Sequence, residues 1–84
     1  EYDFIGVVTA VDEEKNTISV EVRNAFSVGD HLEMMTKDES FAWEVSAMYT
    51  ADGVSLERAK TPKTIVHLPK PGVCSAGDML RRAK

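Results

Sequence analysis

The stretch TISVEVR, residues 17–23, decides the fold class of this chain. Its apolar residues Ile18, Val20 and Val22 alternate with polar ones, and in a β-strand this period of two places them on one face. A helix with 3.6 residues per turn would instead spread the same three residues around its axis. The stretch is therefore predicted to be a strand with one buried face.

The stretch FAWEVSA, residues 41–47, shows the same alternation. Phe41, Trp43, Val45 and Ala47 fall on one face of the predicted strand. Trp43 is expected in the core, and if it anchors that core, Trp43→Ala should cost about 3–5 kcal/mol of stability.

Four weaker strands are predicted at residues 4–11, 32–36, 54–59 and 64–68, separated by clusters of turn-forming residues at 12–16, 28–30, 37–40, 50–53 and 61–63. Asp52-Gly53 is the strongest hairpin signal, because glycine adopts positive φ without steric cost. Gly6 suggests a bulge within the first strand. Pro69 and Pro71 are expected to end the last strand, because proline lacks a backbone donor.

About six short strands with regular turns predict an all-β fold, a barrel or a sandwich. A small, closed or nearly closed antiparallel β-barrel is favoured, because free strand edges invite pairing with other chains. The tail, residues 78–84, is predicted to be a short helix or irregular, with Asp78 as its cap and Met79, Leu80 and Ala83 on one face. Residues 1–84 are expected to form one domain, and no internal repeat is evident.

Composition excludes several classes of protein. The chain has 84 residues, 43% of them hydrophobic and 29% charged, which is too apolar for a disordered tail. No apolar run is long enough to span a membrane. A net charge of −4 is the wrong sign for a domain that grips nucleic acid over its whole surface. A single cysteine, Cys74, fits a reducing compartment, so a cytoplasmic location is expected.

Candidate catalytic and metal-binding residues are scarce. Folding could bring Asp30, His31, His67 and Cys74 together, but nothing in their spacing predicts it. Cys74 has no glycine-rich elbow or nearby histidine and is expected to be inert. The five glycines occur singly, so no phosphate-binding loop is present. We expect no catalytic residue, no metal and no cofactor in this segment.

Positive charge is concentrated in the second half of the chain, at Arg58, Lys60, Lys63, Lys70, Arg81, Arg82 and Lys84. This asymmetry could give a net-acidic domain one basic face able to neutralise phosphates. Trp43 and Tyr49 could offer stacking surfaces for unpaired bases.

A longer motif carries a family resemblance. The V-G-D corner at residues 28–30, which leads into a strand, resembles the second domain of translation elongation factors. The wider stretch VEVRNAFSVGDHLEMMT, residues 20–36, resembles the C-terminal domain of the collagenase-like peptidase family U32. YDFIGVV at residues 2–8, VHLPKP at 66–71 and MLRR at 79–82 follow the order and spacing of that domain.

The resemblance implies a parent protein assigned as a peptidase, whose chemistry resides in a larger N-terminal part. Relatives hydroxylate bases of transfer or ribosomal RNA, and several hold an iron–sulfur cluster in the catalytic part. No catalytic or cluster residue matches a position in this chain. We therefore expect a non-catalytic C-terminal accessory domain of a longer U32-type protein, whose partners are the catalytic part of the same chain and a peptide substrate.

Two alternatives stay open. The first is an RNA-binding module that faces transfer or ribosomal RNA, with a candidate partner-binding surface of Arg23, Asn24, Lys63, Lys70, Arg81 and Arg82. The second is a protein–protein docking or dimerisation domain, which predicts an exposed apolar patch.

Overall fold

The computed structural model describes residues 2–83, within which nine β-strands and no helix are found. The strands are β1 Tyr2–Asp12, β2 Thr17–Val22, β3 Phe26–Ser27, β4 His31–Met35, β5 Ser40–Glu44, β6 Tyr49–Thr50, β7 Arg58–Ala59, β8 Ile65–Pro69 and β9 Met79–Ala83. The all-β prediction is therefore confirmed. In this described range, no helix has the length and apolar character needed to cross a bilayer.

Seven strands form one antiparallel sheet in the order β5-β4-β9-β1-β2-β8-β6, and β3 pairs with β7 in a small second sheet. The predicted closed barrel is not found. β5 and β6 are the two ends of the seven-stranded order, and within residues 2–83 they do not pair with each other. The likeness to translation elongation factors stays a prediction.

The central hairpin of β1 and β2 forms as its alternating sequence predicts. Ile18, Val20 and Val22 are fully buried on the inner face of β2. Gly6 lies where β1 changes register against β9, between Phe4 and Gly6. A Cβ atom on Gly6 would lie 2.6 Å from the backbone oxygen of Glu21, so the close approach of β1 and β2 requires glycine there.

The core is one cluster of fifteen buried residues drawn from both sheets. Its members are Ile5, Val8, Ile18, Val20, Val22, Phe26, Leu32, Met34, Val45, Met48, Ala59, Val66, Leu68, Cys74 and Leu80. Each strand of the large sheet except β5 and β6 contributes to this core, so packing of the buried side chains stabilises the observed strand order.

The prediction of a short helical or irregular C-terminal tail is wrong. Residues 79–83 form β9, which lies between β4 and β1, and Lys84 lies outside the described residues. Leu80 is fully buried, while Met79 and Arg81 lie on the opposite face of the strand. Hydrogen bonds to the backbones of β1 and β4 stabilise this segment as a strand more than its weak helical pattern stabilises a helix.

Two other strand predictions need correction. Within 54–59, only Arg58–Ala59 is a strand, and Ser55 forms a single bridge to Tyr49. The strand predicted over residues 41–47 ends at Glu44. The strand predicted over residues 64–68 is β8, and it ends at a proline as expected, with Pro69 as its final residue opposite Thr17.

Trp43 is only partly buried and packs against the outside of the core, with its ring centroid 6.3 Å from that of Phe41. It lies on β5, an end strand of the sheet, so one side of its ring has no strand beside it. The large stability loss expected of a core anchor therefore does not apply to it.

A corner at residues 27–30 leads into β4, and we call it the first corner. The Ser27 amide donates to Oδ2 of Asp30 at 2.8 Å, and the Asp30 amide donates to the Ser27 carbonyl at 3.1 Å. Gly29 has φ +96°, and its amide donates to the carbonyl of Val45 at 2.8 Å. The amide of Val45 in turn donates to the Asp30 carbonyl at 2.9 Å.

The same arrangement recurs at residues 75–78, the second corner, which leads into β9. The Ser75 amide donates to Oδ2 of Asp78 at 2.8 Å, and the Asp78 amide donates to the Ser75 carbonyl at 3.1 Å. Gly77 has φ +97°, and its amide donates to the Val8 carbonyl on β1 at 2.8 Å. The Val8 amide in turn donates to the Asp78 carbonyl at 2.8 Å. The shared Ser-x-Gly-Asp sequence is a short repeat that the sequence analysis missed.

Candidate nucleic-acid interface

The six predicted surface residues fall into two groups. Arg23 and Asn24 follow β2, and Lys63 lies beside them because its amide donates to the Val22 carbonyl at 2.7 Å. Arg81 and Arg82 lie on β9 at the same end of the molecule, where they pair with Phe4 and Asp3 of β1. Lys70 follows β8 at the opposite end, since Pro69 pairs with Thr17 at the start of β2. The six-residue length of β2 separates the groups by about 17 Å, at a rise of about 3.3 Å per residue.

Arg23 lies over an exposed aromatic ring. Its guanidinium carbon is 5.7 Å from the ring centroid of Phe4, which is 39% exposed on the outer face of β1. Its Nε donates to Oε1 of Glu21 at 3.2 Å. The glutamate and the ring together hold the guanidinium on the outer surface of the sheet.

Arg81, on β9, makes the same kind of contact on the other side of β1. Its guanidinium carbon is 3.7 Å from the ring centroid of Tyr2, which is 53% exposed. Its Nε donates to Oε1 of Glu33 on β4 at 2.6 Å. Arg81 also pairs with Phe4 across the β1–β9 ladder. Tyr2, Phe4, Arg23 and Arg81 thus form one continuous outer surface, which we call the arginine–aromatic face.

The other two residues of this group are bound into the domain's own structure. Asn24 donates to the carbonyl of Phe4 at 2.6 Å. Arg82 donates through Nη1 to Oδ2 of Asp30 at 3.2 Å and through Nη2 to Oδ2 of Asp3 at 3.4 Å. Both side chains therefore have a structural role that sequence reasoning did not assign to them.

Comparison with known proteins identifies the family to which this sequence corresponds. The family described as the peptidase family U32 C-terminal domain matches residues 1–81. The chain belongs to this family.

Two crystal structures resemble this U32 C-terminal domain closely. Both are of the C-terminal domain of a Geobacillus thermoleovorans protein assigned to the U32 peptidases, one of them in selenomethionine form. The selenomethionine structure has a TM-score of 0.89 at 28% identity over 95% of this chain and 99% of the other. The second has a TM-score of 0.90 at 28% identity over 98% of this chain and 93% of the other.

A curated relative is the "tRNA hydroxylation protein P1" of Bacillus subtilis (strain 168). It is 30% identical over 84 residues, which cover 99% of this chain. The chain spans only 20% of that relative's length, so most of the relative lies outside the U32 C-terminal domain.

Sequence reasoning missed the two exposed rings of the arginine–aromatic face. The irregularity between Phe4 and Gly6 interrupts the alternation of β1, so Tyr2 and Phe4 are exposed although Gly6 and Val8, an even number of residues away, are buried. Gly6 was the available signal, because a bulge reverses which residues face outward. Of the two predicted stacking residues, Tyr49 is 39% exposed on β6 and Trp43 is partly buried on β5.

The histidines and the cysteine of the U32 C-terminal domain lie apart. Nε2 of His31 is 3.5 Å from Oε1 of Glu44, both highly exposed, and Nδ1 of His67 lies 3.4 Å from Oγ of Ser19. Cys74 is buried in the core, and this burial raises the pKa of its thiol. Among residues 2–83, no group of three or more His, Cys, Asp or Glu side chains is arranged to hold a metal ion.

An open groove lies on the β6–β8 side of the domain and has a volume of about 390 Å³. We call it the basic-rimmed groove. It is lined by Thr50, Leu56, Arg58, Ala59, Lys60, Thr61, Thr64, Ile65 and Val66. Its apolar floor and two cations make it the second surface with binding chemistry.

Proposed function

We propose that this U32 C-terminal domain is a non-catalytic accessory module that positions an RNA substrate for a catalytic part elsewhere in the same protein. The observation that carries the proposal is the arginine–aromatic face, where two guanidinium groups and two exposed rings lie side by side on adjacent strands.

This combination suits unpaired RNA. Exposed aromatic rings bind bases by stacking regardless of sequence, and arginine contributes both charge and a planar surface. Tyr2 and Phe4 remain 53% and 39% exposed beside the arginines that they contact. The face is therefore arranged to hold a short single-stranded segment.

Two carboxylates moderate the charge of this face. Glu21 and Glu33 each accept a hydrogen bond from one arginine of the face. An incoming phosphate must compete with them, which keeps the interaction weak and dependent on the rest of the protein. Glu33→Gln is accordingly expected to tighten RNA binding, since it weakens the competing pair.

One curated relative is compatible with RNA as the substrate, whereas the two crystal structures are of a protein assigned to the U32 peptidases. A protein of Bacillus subtilis that is 30% identical carries the name of a tRNA hydroxylation protein, and this chain corresponds to 20% of its length. The chemistry of such a protein would then lie in the other part of its chain, with this domain as the substrate-holding partner.

Titration of transfer RNA against the 84-residue chain tests the proposal. If both arginines contact phosphate, raising salt from about 50 to about 200 mM should weaken binding about sevenfold, from a slope near −0.7 per contact. Arg23→Ala combined with Arg81→Ala should weaken binding at least about tenfold and reduce the salt dependence.

Lys15→Ala combined with Lys37→Ala is the matched control. It removes the same charge from two exposed turns at the opposite end of the sheet, so it should leave binding nearly unchanged. If the two double variants lose RNA affinity equally, binding depends on the overall charge of the domain and not on the arginine–aromatic face. No salt-dependent binding at micromolar protein would end the RNA proposal for this domain.

A second candidate is protein docking, favoured by the exposed apolar side chains of Tyr2, Phe4 and Met79 on the adjacent strands β1 and β9. Such a patch is typical of surfaces that bury against another protein. The catalytic part of the same chain, a peptide substrate or a second copy would be the partner. Sedimentation equilibrium with and without Phe4→Ser tests self-association, and a monomer at all concentrations removes dimerisation.

A further inference from the structure

The basic-rimmed groove continues from the arginine–aromatic face. Ile65 lines the groove and pairs with Glu21 across the β2–β8 ladder. Glu21 in turn contacts Arg23 of the arginine–aromatic face. A ligand that leaves the face along β2 therefore reaches the groove within one strand spacing, about 4.8 Å.

The charge of the groove is opposite to that of the domain. Its nine lining residues include the cations Arg58 and Lys60 and no carboxylate, whereas the whole chain carries −4. Nη1 of Arg58 donates to Oγ of Ser27 at 2.9 Å, which fixes the guanidinium of this lining residue. The Lys60 ammonium has no ion-pair or hydrogen-bond partner among residues 2–83. The rim is thus suited to an anion.

The floor of the groove is apolar. Leu56 and Ile65 are partly accessible beside the buried side chains of Ala59 and Val66. The hydroxyl groups of Thr50, Thr61 and Thr64 lie around this floor. A volume of about 390 Å³ lies within the range of about 300–1,000 Å³ for small-molecule sites, so a single ring system with one charged group fits it.

A peptide strand is disfavoured here because the neighbouring sheet edge is already used. The Thr50 amide donates to the Val54 carbonyl and the Leu56 amide donates to the Met48 carbonyl, both at 2.8 Å. Recognition by strand addition needs free main-chain groups along an edge. Segment 48–56 occupies the groups that a peptide would need at this side of the groove.

We propose that the basic-rimmed groove binds one unpaired nucleotide of the RNA, with its base on Leu56 and Ile65 and its phosphate paired with Arg58 and Lys60. This inference rests on the proposed function and names the place where a single flipped or terminal nucleotide is held. The arginine–aromatic face would then bind the neighbouring nucleotides.

Titration with adenosine 5′-monophosphate, followed by NMR of the isotope-labelled 84-residue chain, tests the groove directly. Amide shifts should concentrate at residues 56–61 and 64–66. Lys60→Ala, which removes no described contact, should weaken binding several-fold, and Arg58→Ala combined with Lys60→Ala should weaken it at least about tenfold. Lys15→Ala combined with Lys37→Ala is the charge-matched control and should change binding less than about twofold.

Three outcomes would overturn the inference. They are shifts confined to the arginine–aromatic face, an equal response to inorganic phosphate alone, and an equal or stronger response to a tetraglutamate peptide, which would assign the groove to acidic protein segments. The transfer RNA titration stands apart from these results. Salt-dependent RNA binding without nucleotide-induced shifts in the groove would contradict this inference and leave the proposed function intact. Nucleotide-induced shifts in the groove without salt-dependent RNA binding would contradict RNA positioning by the arginine–aromatic face.

Discussion

The first and second corners share their backbone geometry but differ in what holds them from outside. In each, a serine amide donates to an aspartate Oδ2 at 2.8 Å and a glycine adopts φ near +96°. At the first corner, Arg82 also donates a hydrogen bond to Asp30, and Arg58 donates one to Ser27. Within residues 2–83, the side chains of Ser75 and Asp78 have no such partner. Four residues thus determine the turn, and distant residues determine how strongly it is held.

The residues just before the two corners should show the largest difference. Phe26 precedes the first corner fully buried, and Phe26→Ala should cost about 3–5 kcal/mol through lost burial and a cavity. Cys74 precedes the second, and Cys74→Ala should cost about 1 kcal/mol because it removes a single sulfur. Urea denaturation measures both.

If Phe26→Ala does not fold, Phe26→Leu keeps the comparison measurable, with an expected loss of about 1–2 kcal/mol. Similar losses for the phenylalanine and cysteine variants would contradict the view that the residue before the first corner contributes more to the core than the residue before the second.

The glycines should behave alike. A Cβ atom at Gly29 or Gly77 would meet nothing within 4 Å, so only the positive φ opposes a side chain. Gly29→Ala and Gly77→Ala should each cost about 1–3 kcal/mol, and the two values should agree closely. Thermal unfolding at matched conditions provides the comparison, and a wide gap between them would mean that the corners differ in their own backbone.

The aspartates should differ by a smaller amount. Asp78→Ala loses the hydrogen bond from Ser75 and should cost about 1 kcal/mol. Asp30→Ala also loses Arg82 and should cost up to about 1 kcal/mol more, because that pair is partly exposed.

A double-mutant cycle of Asp30→Ala with Arg82→Met isolates the contribution of this pair, and the coupling should shrink at high salt. Zero coupling at low salt would mean that Arg82 does not stabilise the first corner.

The smallest effect is a dependence on pH that only the second corner should show. Burial raises the pKa of Cys74, with Lys70 lowering it and Asp78 and Glu13 raising it. As pH rises above the ordinary thiol range, the unfolded chain loses this proton first, so the stability of the folded chain falls until the folded thiol also ionises. Cys74→Ala should flatten that fall, while the conservative variant Phe26→Leu should not.

Sequence reasoning succeeded where the pattern is local. The alternation at residues 17–23 predicted β2 and its three buried residues, and Asp52-Gly53 predicted a turn in which Gly53 does adopt φ +88°. Asp78 was predicted to cap a helix, and its carboxylate does accept a backbone amide, but at a corner before a strand. The sequence thus predicted correctly that the Asp78 carboxylate accepts a backbone hydrogen bond, but not that a strand follows it.

The features that the sequence did not predict depend on contacts between residues that are far apart in the chain. The strand β9 exists because β1 and β4 flank it, and neither is near it in sequence. Arg23 and Arg81 were predicted as surface residues, but the rings beneath them depend on the bulge at Gly6. Lys70 was grouped with them by charge alone, and the structure pairs it with Glu13 at 2.9 Å at the other end of the sheet.

The position of β9 has a consequence for how the domain is made. Among residues 2–83, β9 is the last strand in chain order, and it pairs with both β1 and β4. A copy of the domain that stops before residue 79 would leave one edge of β1 and one edge of β4 with unpaired backbone groups, and such edges invite pairing with other chains. Incomplete copies are therefore expected to aggregate or to be degraded.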